Sequence, residues 1–560
     1  MNRNFVYWRA GKNGMQSKLR KDLENYIREG NYPLHMPGHK RRLMPEEDLP
    51  YAWDFTEVSG TDDLHHAEGI LREAMDRTSQ CFGADRTWYL VNGSTCGNLA
   101  GIYAMTSFGG EVIAARNCHR SIFHILELRG LQVHWLMPPI DREYGIYGSI
   151  DAHMVGDMLK RYPHVQAVIL TSPTYEGVVS DIHGIAEICH AEGVSLFVDE
   201  AHGAHFGLFP KAGFPDSAIH AGADVVVQSL HKTLPSLTQT ALLHLRRGLV
   251  SEERIEQGLG IFETSSPSYP LMVSIDACTE YLLTEGEPSF LKWREVLQRF
   301  RNRISGLRYY RVLCYGEDSA KSHGFYAFDP SKLLVNAKRA GLTGAMLQDR
   351  LLRDYHFELE MSMGSNALAM TGPGEDEQQL LRFADALREL DREAAAAESA
   401  KHNISCNAAG DFIYHHKESA ELDRNEMSFT TGGSHMIRVK ENVEGTCIDV
   451  DKYIPDFDAE QDITEDSLLK EAMQTVPLAC MAISEAVEQP SENVDIRESS
   501  GRISAEYVYC YPPGIPLVIP GELISGSERK ALSELRKAGY ELRFTRSGDQ
   551  QDQILVVSRD

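Results

Sequence analysis

The 560-residue sequence lacks the features that mark several broad classes of protein. No segment approaches the roughly 18 consecutive apolar residues of a membrane-spanning helix, and the first residues show no signal-peptide pattern. The 10 cysteines are scattered without a C-x-x-C pair, so neither a metal site nor a disulfide framework is indicated and a cytoplasmic location is expected. Because the net charge is -25, a nucleic-acid or anionic-membrane surface is not expected.

The composition is typical of a soluble globular protein, with 42% apolar and 24% charged residues. The length corresponds to about three or four domains and permits a large core. We predict an N-terminal arm (1–60), a large domain (61–310), a smaller α+β domain (311–395), an insertion or linker (396–480) and a C-terminal α+β domain (481–560).

Short apolar segments alternate with helical patterns through the large domain. Three adjacent valines, Val225 to Val227, are typical of a strand that is buried on both faces. This βαβα order predicts an α/β fold with a mostly parallel sheet covered by helices. The other predicted strands are 88–91, 111–115, 133–137, 165–170 and 194–198.

Polar residues follow the ends of these strands. His119, Ser172, Asp199, His202 and Lys232 each stand just past an apolar segment. Any one of them alone is more easily explained as structural, and a lone lysine there as a surface residue. Ligands of open α/β sheets bind at the carboxyl ends of the strands, so the five together predict a site at one edge of the sheet.

Lys232 and Asp199 have the chemistry that pyridoxal phosphate (PLP) requires. The amine can form an imine with the cofactor aldehyde, and the carboxylate can keep the pyridine nitrogen protonated, since a nearby opposite charge favours the charged form. The protonated ring stabilises a carbanion at the α-carbon of an amino acid, to which the lysine can then donate a proton. His119 is placed to lie flat on the ring.

The phosphate group has candidate ligands in two segments. The turn at residues 93–95, between a strand and a helix, offers free backbone N–H groups and the hydroxyls of Ser94 and Thr95. Ser229 and His231, beside the lysine, can share the phosphate. The same turn is also compatible with an ordinary Ser/Thr helix cap.

Taken together, the motifs resemble the Orn/Lys/Arg decarboxylases, bacterial PLP enzymes of the aspartate aminotransferase fold (fold type I). The resemblance covers about residues 15–395 and 480–525, and it is greatest to the short Gram-positive-type members, since nothing matches the amino-terminal wing domain of the long type. The matching motifs are LHMPGHKRR (34–42), GTDDLHHAEGI (60–70), NGSTCGN (92–98), RNCHRS (116–121), SPTYEGVVSD (172–181), VDEAHGAH (198–205), QSLHK (228–232), TSSPSYP (264–270) and YPPGIPLVIPGE (511–522).

The resemblance implies a role for each residue. Lys232 is implied to be the Schiff-base lysine, Asp199 the partner of the ring nitrogen and His119 the stacking residue. Further cofactor-binding residues implied are Ser94, Thr95, Ser172, Ser229 and His231, with Ala201 and His202 against the ring and its hydroxyl.

The family is built of homodimers or higher even oligomers with shared active sites. The loop around Ser265 is therefore expected to reach the cofactor of the neighbouring chain. His39, in a basic loop, and Glu522, the single carboxylate of an apolar loop, are candidate substrate-binding residues, and the latter would receive the distal cation. Two segments depart from the family: residues 396–480 are longer than its connection, and residues 361–365 are less acidic than its usual pattern.

Three hypotheses for the function follow. The first is decarboxylation of arginine, lysine or ornithine to the amine and CO₂, which an acidic surface suits. The second is another fold-type-I reaction, such as transamination or aldol cleavage, because placement of the substrate decides which bond breaks. The third is a PLP-fold protein that binds a ligand without turnover, against which the intact Lys232 and Asp199 argue. The sequence does not choose among the three amino acids.

Overall fold

The protein is described here by a computed structural model that covers residues 30, 32–34, 62–315, 319–408, 478–510, 515–537, 541–547 and 552–559, except for the side chains at 33, 400–408, 510 and 537. Most of the predicted arm and insertion therefore lies outside the described residues, as does His39. Within these ranges, no helix has both the length and the apolar character that crossing a membrane requires.

A seven-stranded sheet forms the centre of the large domain. In chain order its strands are β1 (Arg86–Leu90), β2 (Glu111–Ala115), β3 (Gln132–Leu136), β4 (Val165–Thr171), β5 (Ser195–Asp199), β6 (Val225–Ser229) and β7 (Ala241–Leu245). Across the sheet the order is β1-β7-β6-β5-β4-β2-β3, with β7 antiparallel to both its neighbours and all other pairs parallel. The predicted α/β fold with a mostly parallel sheet is confirmed.

Five helices of the large domain connect these strands in alternation, one precedes β1 and three follow β7. They are α1 (Ile70–Phe82), α2 (Gly93–Met105), α3 (Arg120–Leu128), α4 (Ala152–Arg161), α5 (Ile182–Ala191), the single turn α6 (Leu230–Thr233), α7 (Glu252–Phe262), α8 (Tyr269–Tyr281) and α9 (Glu287–Arg303).

Strand β6 is buried along its whole length, as the three valines predicted. Val225, Val226 and Val227 are each 0% exposed. The strand continues to Ser229 because its last two residues pair with Leu242 and Ala241 of β7. Lys232 thus follows directly from the most buried part of the core, which fixes the position of its backbone.

Helix α2 packs unusually close to the sheet because it carries glycine on its inner face. A Cβ added at Gly97 would lie 2.7 Å from Leu90 Cδ1, and one added at Gly101 would lie 2.6 Å from Phe197 Cε2. The side chains of β1 and β5 occupy the space that larger residues would need. The close packing sets how near the first turn of α2 comes to the end of β6.

The smaller domain contains a four-stranded antiparallel sheet. Its strands are β8 (Arg311–Val312), β9 (Lys332–Asn336), β10 (Met361–Met363) and β11 (Asn366–Met370), in the order β8-β9-β11-β10. Helix α10 (Gly344–Tyr355) lies between β9 and β10 in the chain, and α11 (Glu377–Ala408) follows β11. The described part of the N-terminal arm adds a strand, Tyr32–Leu34, parallel to Phe357–Leu359.

Helix α11 extends beyond the predicted end of the smaller domain. The sequence predicted that this domain ends at residue 395, whereas the helix continues to Ala408. Four consecutive alanines, at 394–397, have the highest helix propensity of any residue and carry the helix onward. Residues 395–463 form a separate contact unit, of which the structure describes this last part of α11.

In the C-terminal part, the described residues (478–510, 515–537, 541–547 and 552–559) form two helices and three small sheets. The helices are α12 (Ile483–Glu488) and α13 (Gly526–Lys537). The sheets pair Val508–Cys510 with Ile515–Val518 and Leu542–Phe544, Ser491–Asp495 with Gln553–Val557, and Leu478–Ala479 with Glu522–Leu523. A small apolar core of its own includes Val508, Val518, Leu532 and Ile554.

Candidate active site

The carboxyl ends of four parallel strands bring the predicted polar residues to one edge of the sheet. Asp199 is the last residue of β5 and lies beside Val227 of β6 in the register. His119 follows β2, Ser172 follows β4, and Lys232 lies in the single turn after β6. The sequence predicted this common edge, and the parallel pairing of the strands confirms it.

The surroundings of Lys232 have opposing effects on the charge of its amine. Its Nζ lies 2.9 Å from His202 Nε2 and 6.0 Å from the centroid of the Tyr175 ring. Burial lowers the pKa of Lys232, while the negative charges of Asp199 and Glu360 oppose that shift. A lysine with a lowered pKa has more free amine near neutral pH and is therefore a better nucleophile.

Asp199 is 2% exposed and is fixed by two donors. Asn98 Nδ2 donates to its Oδ2 at 2.9 Å, and the backbone N–H of Ala201 donates to Oδ1 at 3.1 Å. Burial raises the pKa of Asp199, and the charge of Lys232 works against this. The carboxyl of Asp199 and the amine of Lys232 are therefore close enough to act electrostatically on each other, as expected for two groups of one site.

His119 is connected to Asp199 through a short chain of hydrogen bonds. Its Nδ1 lies 2.8 Å from Ser121 Oγ, which accepts from Asn98 Nδ2 at 2.9 Å. Burial, followed by the positive charges of Lys232 and other neighbours, lowers the pKa of His119 to about 3. The imidazole is therefore neutral at physiological pH, which suits stacking on a cationic ring.

The first turn of α2 offers groups that are able to bind an anion. The residue before it, Asn92, makes no side-chain cap, so the ordinary Ser/Thr cap considered from the sequence is not what forms. Ser94 Oγ lies 2.5 Å from Ser229 Oγ at the end of β6, and Thr95 is exposed beside it. Uncapped N–H groups and paired hydroxyls at a helix N-terminus are suitable for a phosphate. His231 Nδ1 lies 3.0 Å from the carbonyl oxygen of Thr240.

Two predicted residues, Ser172 and Ser265, have other surroundings. Ser172 is 2% exposed, and its Oγ accepts from the backbone N–H of Ser180 at 3.1 Å. Ser265 is exposed on this chain, next to a contact between Thr264 O and His65 Nε2 of 2.9 Å. Their predicted cofactor roles remain predictions, as does the role of His39, which lies outside the described residues.

Glu522 forms a buried ion pair with Arg116, which follows β2. Arg116 Nη2 lies 3.3 Å from Glu522 Oε2, and their side chains are 6% and 2% exposed. The guanidinium also donates to the carbonyl oxygens of Pro516 at 2.6 Å and Leu517 at 3.2 Å. The pair therefore attaches the C-terminal domain to the strand that precedes His119. Oε1 of Glu522 makes no hydrogen bond within the described residues.

Replacing Glu522 with glutamine is expected to change how stability depends on pH. Burial raises the pKa of Glu522 from 4.5 to about 7, with Arg116 opposing. When the pKa of a carboxyl is higher in the folded state than in the unfolded state, the protonated group stabilises the folded protein. This contribution to the unfolding free energy is complete at a pH below the unfolded-state pKa and is lost as the pH rises through the folded-state pKa. Between about pH 5 and 8, the wild type should lose about 2–3 kcal/mol more unfolding free energy than Glu522→Gln.

Urea unfolding at several pH values measures this difference. The matched control is Glu498→Gln, at an exposed position, which should follow the wild type. A constant difference between Glu522→Gln and the wild type across the pH range would contradict the expectation.

Four residues near the site were not predicted from the sequence. Asn98 and Tyr175 stand inside quoted motifs, where the only signal was their proximity to candidate residues. Lys332 Nζ lies 3.1 Å from His202 Nδ1, and Glu360 accepts from the Tyr175 hydroxyl at 2.5 Å. Lys332 and Glu360 belong to the smaller domain and are 130 and 185 positions from the residues that they contact. No local sequence pattern indicates them.

The described residues fit PLP by the chemistry of their side chains. A nucleophilic amine and a buried carboxylate end adjacent strands, a neutral histidine follows a third, and an uncapped helix start carries hydroxyls. These are the partners that the aldehyde, pyridine nitrogen, ring face and phosphate of the cofactor require.

Comparison with known families agrees with this chemistry. The model of the Orn/Lys/Arg decarboxylase major domain matches residues 18–334, and that of the Orn/Lys/Arg decarboxylase C-terminal domain matches residues 463–540. The chain belongs to the Orn/Lys/Arg decarboxylase family. PLP is the cofactor of this family, so the protein is a PLP-dependent amino acid decarboxylase, as the sequence predicted.

Individual relatives of this Orn/Lys/Arg decarboxylase match over nearly the whole chain. An arginine decarboxylase of Bacillus subtilis is 29% identical over 519 residues, 91% of each chain. An arginine decarboxylase of Halalkalibacterium halodurans is 29% identical over 531 residues, 94% of each. The solved structure of lysine decarboxylase A from Pseudomonas aeruginosa has the same fold, with a TM-score of 0.66 at 18% identity over 97% of this chain and 76% of that one.

Proposed function

We propose that this decarboxylase acts on arginine, releasing CO₂ and the corresponding amine, with lysine as the second candidate. The observation that carries the proposal is the pairing of Lys232 and Asp199 at the ends of adjacent strands, each shifting the pKa of the other. Arginine is placed first because the B. subtilis and H. halodurans relatives, each 29% identical over more than nine-tenths of the chain, are arginine decarboxylases. Lysine is the second candidate because it is among the substrates that the name of the family gives.

Each residue has a proposed task in the reaction. PLP, when bound, withdraws electrons from the α-carbon of the substrate and so lets the carboxylate leave as CO₂. Lys232 attaches the cofactor and, once displaced by the substrate amine, donates a proton to the α-carbon. Asp199 holds the proton on the ring nitrogen, and His119 covers one face of the ring. Neutral His119 adds no positive charge that would repel the protonated nitrogen.

The remaining proposed contacts divide between cofactor and substrate. Ser172, Ala201 and His202 would contact the ring and its hydroxyl, and Ser265 would reach the cofactor of a second copy in a homodimer. His39 and Glu522 are the proposed substrate-binding residues, and the unbonded Oε1 of Glu522 supports a contact with a distal cation. The proposed phosphate-binding residues are Ser94, Thr95, Ser229 and His231.

The test of the function is a panel of amino acids given to purified protein with PLP. CO₂ and the amine product are both measured for arginine, lysine, ornithine and a set of neutral amino acids. We expect CO₂ and the amine to be formed from arginine in equal amounts. Keto acid formation without CO₂ would favour transamination, and a colour change without either product would favour ligand binding without turnover.

Loss of one phosphate-binding hydroxyl should weaken cofactor binding. Ser229→Ala removes the partner of Ser94 at the uncapped helix start. A hydrogen bond to a charged group contributes about 1.5–3 kcal/mol, so PLP should bind roughly tenfold or more weakly. Equilibrium dialysis against PLP measures the dissociation constant, with Ser399→Ala, an exposed serine on α11, as the control. Equal affinity of Ser229→Ala and wild type would remove Ser229 from the phosphate site.

A further inference from the structure

His202 lies between two lysines, one from each domain. Its Nε2 is 2.9 Å from Lys232 Nζ, and its Nδ1 is 3.1 Å from Lys332 Nζ. The imidazole is 5% exposed, and burial is the main reason that its pKa lies well below the ordinary value. A neutral imidazole has one nitrogen that donates and one that accepts, so the two contacts cannot be alike.

The chemistry of Lys332 decides which nitrogen carries the hydrogen. An ammonium group has three donors and no acceptor, so Lys332 can only donate to Nδ1. The hydrogen of the ring then resides on Nε2, and Nε2 donates to Lys232. Lys232 Nζ can accept that hydrogen bond only through the lone pair of its uncharged amine.

The position of Lys332 is fixed by tight packing. It opens β9 and is 0% exposed. A Cβ added at Gly177, where φ is +106°, would lie 2.7 Å from Lys332 Cγ. Two buried acids, Asp329 and Glu176, feel the charge of Lys332, which lowers the pKa of each against the effect of burial. Nearby carboxyl groups support the ammonium form that the argument requires.

We propose that Lys332 is a positioning residue, which fixes the hydrogen of His202 on Nε2 and thereby holds Lys232 as the uncharged amine. The inference rests on the proposed function in one respect, that Lys232 is the group to which the cofactor attaches. Lys332 belongs to the smaller domain and acts on the amine through the imidazole.

Other charged groups also face this chain of contacts. Asp199 and Glu360 favour the charged form of Lys232. His119 and His231 lie near enough to His202 to disfavour its protonation. Any test must therefore separate donation by His202 from the simple removal of one positive charge.

The test is the pH profile of Lys232 acetylation in the full-length apoenzyme. Acetic anhydride reacts with the free amine, and mass spectrometry of the peptide that contains Lys232 gives the midpoint. Lys332→Met allows the hydrogen of His202 to move to Nδ1, so that Nε2 accepts from a charged Lys232. The midpoint should therefore rise by about one pH unit. An unchanged midpoint would overturn the proposal.

A double-mutant cycle separates the hydrogen bond from the charge. In His202→Leu, the imidazole that transmits the effect is absent, so adding Lys332→Met should shift the midpoint little. An equal shift in both backgrounds would show that the charge of Lys332 acts through space, and the proposal would fail. If Lys332→Met does not fold, Lys332→Leu takes its place with the same expected rise. Lys332→Gln is the companion variant: glutamine keeps an N–H for Nδ1 without the charge, so it should retain the wild-type midpoint, and a full shift would contradict the proposal.

The same preparations distinguish this inference from the proposed function. Borohydride trapping of PLP on the wild-type protein, followed by peptide mapping, tests attachment to Lys232. Attachment elsewhere would refute the function while leaving the acetylation profile interpretable. Attachment to Lys232 together with an unshifted profile in Lys332→Met would refute only the role of Lys332.

Discussion

Replacing Lys232 with alanine abolishes decarboxylation, with an expected loss of roughly three orders of magnitude or more in turnover. The variant lacks the amine that attaches the cofactor and returns the proton to the α-carbon. No described neighbour can take its place, because Lys332 Nζ lies on the far side of the His202 ring. CO₂ release from the preferred substrate measures the loss.

The matched control is Lys160→Ala, at a side chain that is 78% exposed on α4. It should keep the wild-type rate, and both variants should melt as the wild type does within a few degrees. The absorbance band of lysine-bound PLP should be present in the control and absent in Lys232→Ala. Wild-type turnover in Lys232→Ala would remove the mechanism altogether.

Replacing Asp199 with alanine lowers turnover by about two to four orders of magnitude while the fold survives. Without the carboxylate, the ring nitrogen loses the negative charge that keeps it protonated. The substitution also leaves Asn98 Nδ2 without one of its acceptors, at a cost of about 1–3 kcal/mol in stability. A fold with so large a buried core should tolerate that cost.

The kcat of Asp199→Ala and the pH dependence of its cofactor absorbance together test the role of the acid. Asp199→Asn keeps the shape and should be nearly as slow, because its amide carries no charge. Asp157→Ala, at a side chain that is 80% exposed, should have no effect. Retained activity in Asp199→Ala would mean that another group handles the ring nitrogen.

The sequence was sufficient to predict the sheet edge because the signal is local. An apolar segment followed by a polar residue marks both a strand and its end, and parallel topology then brings the ends together. The sequence pattern alone therefore places Asp199 and Lys232 at the ends of strands along one edge of the sheet. The strand limits shifted by only a residue or two, as at β3 and β5.

Contacts between distant segments could not be predicted in this way. Arg116 and Glu522 are separated by 406 positions, and their pairing depends on how the C-terminal domain packs. Lys332 and His202 are 130 positions apart, and Lys332 stands at the start of an apolar strand where it resembles any boundary lysine. The charge of Glu522 within an apolar loop marked it as a candidate residue in the sequence. Its buried partner, Arg116, could be identified only from the folded structure.

The glycines of α2 imply that cofactor affinity can depend on positions that carry no side chain. Leu90 and Phe197 fill the space where side chains at Gly97 and Gly101 would stand. A methyl group there would lift the whole helix and separate Ser94 from Ser229 without altering either hydroxyl. Among natural or engineered variants, a substitution at Gly97 or Gly101 would therefore weaken cofactor binding as the loss of Ser94 or Ser229 would, although neither glycine is a proposed cofactor ligand.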